Sequence, residues 1–223
     1  SVGTLYAPDS IISNRKMESD QIVTEQLRLM PGQVYFFTVR AINKAGLVSM
    51  EGRSDGVMII DGYPEITDIN DYGDYTIFND QIIVDWNCGK TGYAPIDYFQ
   101  IYLRTDDQKT WTKIKDVTEK QVIITPDDLG WYCFEDGKTY YVSVRGVNKA
   151  GIITPENKAG ETNGIKVDSS PPAVEDLRII HSDQYTTKRF KIHLQASDPH
   201  SGITAYKYAV GKTRGGTELT KGW

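Results

Sequence analysis

Apolar and polar residues alternate along two long segments of the chain, residues 35–42 and 140–147. One face of each segment carries aromatic and β-branched residues at every second position: Tyr35, Phe37 and Val39 in the first, and Tyr140, Val142 and Val144 in the second. A period of two in residues of these types predicts half-buried β-strands rather than helices.

The two segments belong to a longer repeat. Residues 29–46 (LMPGQVYFFTVRAINKAG) return as residues 134–151 (FEDGKTYYVSVRGVNKAG). Identical residues recur at a constant offset of 105, among them Gly32, Tyr35, Val39, Arg40, Asn43 and Gly46, which map onto Gly137, Tyr140, Val144, Arg145, Asn148 and Gly151. A fixed offset indicates tandem modules of one fold, and a unit of roughly 100 residues fits a β-sandwich better than a solenoid repeat.

Three stretches resemble the fibronectin type III family. The pattern Leu-x-Pro-x-x-x-Tyr-x-Phe-x-Val-x-Ala at residues 29–41 is similar to the E–F corner and F strand of that family. Residues 81–86 (QIIVDW) resemble its B strand with the core tryptophan, here Trp86, and residues 97–107 resemble its C strand. The resemblance implies an all-β chain of tandem fibronectin type III-like, immunoglobulin-like β-sandwiches, and it covers essentially the whole chain. It implies little about function, because this sandwich hosts many unrelated roles.

The same resemblance assigns a structural role to two tyrosines. In many immunoglobulin-like sandwiches a tyrosine hydroxyl is hydrogen bonded to the backbone at the E–F corner, and the matching residues here are Tyr35 and Tyr140. The second copy departs from the family pattern, with Phe134 and Asp136 where the first has leucine and proline.

Prolines mark the predicted module boundaries, because proline cannot donate to a β-ladder. A short strand precedes Pro64, and another precedes Pro171. We therefore expect residues 1–64 to hold strands C′ to G of one module, residues 65–171 a complete module, and residues 172–223 strands A to C of a third. In the third module, residues 190–197 match strand B and residues 203–211 match strand C. Two half-modules at the ends favour either a piece of a longer protein or completion by another copy.

The predicted strands of the complete module number seven. They are A near residues 65–70, B at 81–88, C at 98–105, C′ at 110–115, E near 121–125, F at 139–148 and G at 164–168.

Composition narrows the classes of partner. The 223 residues carry a net charge of −5 and no run of Lys or Arg, which argues against nucleic acid. No apolar stretch approaches the roughly 20 residues that span a bilayer, so no membrane insertion is expected in this segment. The two cysteines, Cys88 and Cys133, form either a disulfide or two free thiols. An extracellular module favours the bond, while their predicted positions near opposite ends of the sandwich disfavour it.

No catalytic set stands out. Two Gly-Lys-Thr segments lack the earlier glycine of a phosphate-binding loop, and the histidines have no metal-ligand spacing. We therefore expect no enzymatic activity and no cofactor. Calcium is the one metal left open, since acidic inter-module loops supply oxygen ligands. Its candidate ligands are Asp68, Asp71, Asp74 and Asp198, and the alternative is that these residues form solvated acidic turns.

Several aromatic residues lie outside the predicted core. Trp111, Trp131, Tyr132 and Trp223 fall in strand C′, an insertion and a terminal segment, where they either stack on sugars or pack at a module junction. We therefore expect the binding partners to be neighbouring copies of the protein, adjacent modules or glycans.

Together these features predict a non-enzymatic structural array in an extracellular or cell-surface protein. It would form a fibre, filament or stalk by end-to-end stacking or head-to-tail complementation. The alternatives are an adhesin, a carbohydrate-binding accessory region of a secreted enzyme, or a receptor ectodomain.

Overall fold

A computed structural model of the protein describes residues 1–13, 15–17, 21, 27–180 and 191–220. These residues are organised almost entirely as β-strands and loops. We refer to residues 1–64 as the first segment, residues 65–171 as the middle module and residues 172–223 as the last segment. Within the described residues, no helix has the length and apolar character needed to cross a bilayer.

The strands are numbered in chain order. The first segment contains β1 (Val2–Thr4), β2 (Ala7–Ile12), β3 (Val34–Val39), β4 (Gly52–Arg53) and β5 (Val57–Met58). The middle module contains β6 (Ile66–Asn70), β7 (Tyr75–Thr76), β8 (Ile82–Cys88), β9 (Ile96–Thr105), β10 (Thr112–Val117), β11 (Gln121–Ile124), β12 (Thr139–Asn148), β13 (Gly160–Glu161) and β14 (Ile165–Val167). It also contains short 3-10 helices at Pro126–Leu129 and Glu156–Lys158. The last segment contains β15 (Ala173–Ile179) and β16 (Ile192–Ser197).

The middle module is a β-sandwich of two sheets. One sheet has the order β11-β8-β6, and the other has the order β10-β9-β12-β14, with β7 added in parallel beside β14. In fibronectin type III nomenclature these sheets are E-B-A and C′-C-F-G. The prediction of an all-β, fibronectin type III-like sandwich is therefore confirmed. The short parallel strand β7 was not predicted.

The core of the middle module lies between its two sheets. Val84 and Trp86 of β8 face Ile101 of β9 and Val144 of β12, and all four are buried. Trp86 packs edge-to-face on Phe99, with ring centroids 5.3 Å apart. Burying one such apolar side chain contributes about 1.5–3 kcal/mol, so this layer supplies much of the folding free energy.

The first segment forms one sheet, in the order β2-β1-β3 with β4 and β5 both paired to β3. This order corresponds to C′-C-F-G. Strand β3 ends at Val39, whereas β12 in the middle module continues to Asn148, the equivalent of Asn43. The difference follows from pairing, because β1 contacts β3 in register only at Phe36 and Phe37.

The last segment forms a two-stranded antiparallel sheet of β15 and β16. The predicted C strand at residues 203–211 is wrong, since none of these residues is assigned to a strand. In the middle module, β9 is held by β12 along almost its whole length. The described residues of the last segment include no equivalent of β12, so the alternating sequence has no ladder to join.

Candidate inter-module junctions

Two buried tyrosines fix the loops that precede strands β3 and β12. The hydroxyl of Tyr140 accepts a hydrogen bond from the N–H of Glu135 at 2.8 Å, and the hydroxyl of Tyr35 accepts one from Met30 at 2.9 Å. The sequence predicted this corner at both positions. Its consequence is that the residues between donor and tyrosine, including one glycine in each copy, are held in a defined conformation.

Those glycines occupy equivalent positions in the two loops. Gly32 has φ +79° and Gly137 has φ +82°, a left-handed conformation that disfavours other residues. The N–H of Gly32 donates a hydrogen bond to the carbonyl oxygen of Ile59 at 2.8 Å. The N–H of Gly137 donates one to the carbonyl oxygen of Val167, also at 2.8 Å. Each corner is therefore tied to the end of the last strand of its own segment, at Val167 of β14 or at Ile59, which directly follows β5. The glycine leaves the backbone there without a covering side chain.

At the first junction, the ring of Tyr93 occupies that bare surface. A Cβ atom built on Gly32 would lie 2.6 Å from Cδ1 and 2.7 Å from Cε1 of this ring. Tyr93 belongs to the loop between β8 and β9 of the middle module, and its own φ is +66°. A non-glycine residue in this region is strained and persists where surrounding contacts hold it.

At the second junction, the imidazole of His200 takes the same place over Gly137. A Cβ atom on Gly137 would lie 2.4 Å from Cε1 and 2.7 Å from Nδ1 of the ring. His200 lies 107 residues after Tyr93, just before the sequence that matches strand C. The two junctions therefore share one contact, in which a ring from the B–C loop of one module covers the corner glycine of the preceding module.

The first junction is also closed by backbone. A Cβ atom on Gly92 would lie 2.3 Å from the carbonyl oxygen of Gly62, so only glycine fits. The hydroxyl of Thr154 donates to the carbonyl oxygen of Pro64 at 2.6 Å, and the N–H of Glu65 donates to Lys90 at 2.8 Å. The connecting residues are thus anchored to the middle module as soon as they leave the first segment.

The second junction carries polar contacts in addition to the ring. Asp136 accepts the N–H of Ser169 at 2.8 Å and the hydroxyl of Ser170, and its Oδ2 lies 3.4 Å from Nε2 of His200. The Nζ of Lys166 donates to the carbonyl oxygen of His200 at 3.2 Å. The hydroxyl of Ser170, the N–H of Ser169 and the nearby imidazole lower the pKa of Asp136.

Asp198 shapes the loop that presents His200. Its Oδ1 accepts the N–H groups of His200, Ser201 and Gly202 at 3.0, 2.8 and 3.0 Å. These three donors lower the pKa of the Asp198 carboxyl, because they favour its charged form.

The four candidate calcium ligands do not assemble into a site. Asp198 accepts backbone N–H groups of its own loop. Asp68 accepts a hydrogen bond from Asn87 at 3.4 Å, and Asp74 accepts one from Asn163 at 3.3 Å. Asp71 is buried. Among the described residues, no three His, Cys, Asp or Glu side chains form a group that could hold a metal ion.

The two cysteines are free thiols in the structure, Cys88 partly buried and Cys133 exposed. Cys88 ends β8, whereas the neighbour of Cys133, Phe134, donates its N–H to Asn79, which precedes β8. The length of β8 separates them, about 20 Å at roughly 3.3 Å per residue. A disulfide needs Cα atoms within about 7 Å, so the disulfide alternative does not fit this fold.

The aromatic candidates do not form one surface. Trp131 packs on Phe134 and Tyr140 at the edge of the core, with ring centroids 6.3 and 6.2 Å away. Trp111 lies under the guanidinium of Arg104, 4.9 Å from its ring centroid. Tyr132 is fully exposed, and Trp223 lies outside the described residues.

The sequence did not predict the two junction rings, because the equivalent positions hold different residues, Tyr93 and His200. The available signal was positional, since both residues precede strand C at equal spacing and the corner glycine recurs.

No family model matches the chain. Similar solved structures include a group of titin domains, with 13% identity and a TM-score of 0.46, covering 67% of this chain and 49% of that chain. The FN1–FN3 domains of chicken CNTN1 have 17% identity and a TM-score of 0.35, covering 69% of this chain and 51% of that chain. The chain thus spans about half the length of both fragments. A human FNIII domain has 15% identity and a TM-score of 0.33, covering 49% of this chain and 82% of that chain.

Proposed function

We propose that this chain, built of fibronectin type III-like sandwich modules, is a non-enzymatic structural array that spaces or extends an extracellular or cell-surface protein. Its modules dock end to end and act as a stalk or fibre segment. The observation that carries this proposal is the repetition of one docking contact, Tyr93 on Gly32 and His200 on Gly137.

The same contact recurs at equivalent positions of two successive modules, which supports a general mode of docking between modules. Each docking ring lies in a loop of one module, and each glycine lies in a tyrosine-fixed corner of the preceding one. The glycine leaves room for the ring to approach the backbone closely, which reduces the freedom of one module to rotate against the next.

The connections between modules are short. Strand β5 ends at Met58 and β6 begins at Ile66, while β14 ends at Val167 and β15 begins at Ala173. Prolines in both connections restrict the backbone further. Short, proline-containing connections with a docked ring support a stiff arrangement and disfavour a freely jointed string.

Small-angle scattering, extrapolated to zero concentration, tests this proposal. We expect the profile of one extended, stiff particle for the wild type. Tyr93→Ala and His200→Ala should each shift the profile toward that of flexibly linked bodies. Tyr132→Ala is the matched control, because the ring of Tyr132 is fully exposed and is not docked on another module. A wild-type profile that already fits a freely jointed string would contradict the proposal.

A further inference from the structure

We infer that a cleft on the middle module binds a small cationic group, the alkylammonium group of a free amine or of a lysine side chain. Asp71 contacts the ammonium, and neighbouring aromatic rings pack against its carbon chain. All residues that line the cleft lie within residues 65–171, every one of which the structure describes. None of them takes part in the two junction contacts, so the site is distinct from both.

The cleft forms where the chain crosses from one sheet to the other. Strand β6 pairs with β8 as far as Asn70, opposite Asp85, whereas β7 pairs in parallel with β14, with Tyr75 beside Lys166. Residues 71–74 connect these strands, and the opening beside them has a volume of about 320 Å³. Pockets of about 300–1,000 Å³ are typical of small-ligand sites. Aromatic and aliphatic side chains line most of the cleft, among them Tyr72, Tyr75, Phe78, Ile82 and Ile165.

Asp71 is the buried polar residue of the cleft. It lines the cleft and is 3% exposed, and its Oδ2 atom is buried and has no hydrogen-bond partner in the described part of the chain. A buried carboxyl oxygen without a donor destabilises the folded state, and more strongly when it is charged. An ammonium group supplies N–H donors and the opposite charge together. Because Oδ2 is itself buried, the Asp71 side chain rotates towards the opening to make this contact.

The charge around the cleft favours a cation. Residues 61–89 include seven Asp or Glu and no Lys, Arg or His. Among the described residues that line the cleft, none is basic. On the strand paired with β7, Lys166 directs its Nζ to the carbonyl oxygen of His200 at 3.2 Å, at the second junction. The Asp71 carboxyl therefore lies in acidic surroundings, which attract positively charged ligands.

Three aromatic rings complete the site. Tyr72, Tyr75 and Phe78 are each about half exposed, so a ligand can reach their rings. The ring of Tyr72 is held in place, because its backbone N–H donates to Oδ1 of Asn70 at 3.0 Å and its hydroxyl donates to Asp85. The faces of such rings attract cations that lie within about 6 Å of the ring centroid.

Two other classes of ligand fit the cleft less well. A neutral sugar stacks on the same kind of ring, but its hydroxyl groups leave the charge of a buried carboxylate uncompensated. Calcium binds about six to eight oxygen atoms, and Asp71 is the one carboxylate among the described residues that line the cleft. An alkylammonium group satisfies this carboxylate with a single contact and places its carbon chain against the rings.

Amide NMR titration of the whole chain with n-butylammonium chloride tests the site, with sodium chloride adjusted to keep the ionic strength constant. We expect saturable shifts of the N–H groups of residues 71–78 and of Ile165, and much smaller shifts with the neutral analogue 1-butanol. Choline and Nα-acetyl-lysine methylamide distinguish the two sources of the group. Tighter binding of choline indicates a small quaternary amine and tighter binding of the lysine derivative indicates a protein side chain, and either result supports the site.

Three variants separate ligand contact from a structural role. Asp71→Asn should bind n-butylammonium at least about tenfold more weakly, because a charge-assisted contact is lost. Its melting temperature should be unchanged or higher, because a buried unpaired charge is removed. Asp80→Asn makes the same change of charge at an exposed position outside the cleft and should bind like the wild type. Phe78→Ala should weaken binding by about three- to tenfold through the loss of a ring.

Several results would overturn the inference. Equal shifts with n-butylammonium and 1-butanol would show that the cleft accepts apolar chains without regard to charge. Saturable shifts with glucose and none with n-butylammonium would assign the cleft to carbohydrate. A wild type without saturable shifts, or an Asp71→Asn variant that binds like the wild type, would also overturn it. A marked fall in the melting temperature of ligand-free Asp71→Asn would show that Asp71 stabilises the fold and is not held for a ligand.

Discussion

The imidazole of His200 lies directly over Gly137, so close that a Cβ atom on this glycine would come within 2.4 Å of Cε1. Tyr93 stands in the same relation to Gly32 one module earlier. In both cases a conformation that favours glycine and a docked ring coincide at one residue. The glycine is thus required twice, by its own backbone angle and by its neighbour in the next module.

Alanine substitutions separate these two requirements. Gly137→Ala and Gly151→Ala both place a side chain on left-handed backbone, which costs about 1–2 kcal/mol of stability in thermal or urea unfolding. A Cβ on Gly151 meets nothing within 4 Å, whereas one on Gly137 meets the His200 ring. We therefore expect only Gly137→Ala to shift the His200 imidazole resonances in NMR spectra. Equal effects of both variants on His200 would contradict the docked ring.

The tyrosine corner should make a measurable contribution to stability. Tyr140→Phe removes the hydroxyl that accepts the N–H of Glu135 and leaves that donor without its partner. We expect a loss of about 1–3 kcal/mol in the free energy of unfolding, measured by urea denaturation. Tyr132→Phe, at a fully exposed position, should change stability by less than about 0.5 kcal/mol. A neutral Tyr140→Phe variant would show that the corner contributes no stability.

The second junction should weaken in acid while the first does not. The pKa of Asp136 is lowered by the Ser170 hydroxyl, the Ser169 N–H and the nearby His200. A depressed carboxyl pKa means that the stabilisation is fully present above the unfolded value of about 3.9 and is lost as pH falls through the lower folded pKa. The equivalent residue at the first junction is Pro31, which does not titrate.

Amide NMR spectra recorded from pH 6 to pH 2 check this prediction. The N–H of Ser169 should move with the titration of Asp136, while the N–H of Gly32 should not respond at that pH. Asp136→Asn should abolish the response of Ser169. A Ser169 titration that persists in Asp136→Asn would assign it to another group.

The two thiols should react at different rates with a thiol reagent. Cys133 is exposed, whereas burial raises the pKa of the partly buried Cys88 and lowers its thiolate fraction. We expect Cys133 to be labelled first, and the melting temperature to be the same with and without reductant. A melting temperature that falls in reductant would reveal a disulfide and contradict the fold described above.

The sequence predicted those features that depend on residues within one module. The alternation of Tyr140, Val142 and Val144 indicated the F strand, and the repeat indicated both tyrosine corners, because local pattern and burial agree there. Strand C of the last segment was predicted wrongly at residues 203–211, where the alternation is present but the described residues of this segment supply no partner strand. A strand needs both a suitable sequence and a ladder, and only the first is visible in the sequence.

The junction contacts lay beyond sequence reasoning for a different reason. The docking position requires a flat ring and a loop of suitable length. Tyr93 fills it with a phenol ring and His200 with an imidazole, so no residue type recurs there. The polar contacts of Asp136 are specific to the second junction, so the repeat gave no indication of them. Such contacts emerge only when the ends of two modules are seen together.

Distance measurements between spin labels across the first junction test the central claim most directly. Labels at exposed positions 50 and 112, in a chain with Cys88→Ser and Cys133→Ser and diluted in unlabelled protein, report the orientation of the first segment relative to the middle module. If Tyr93 docks on Gly32, the wild type gives one narrow distance distribution, and Tyr93→Ala broadens it. A broad wild-type distribution that Tyr93→Ala leaves unchanged would contradict a docked, repeating junction.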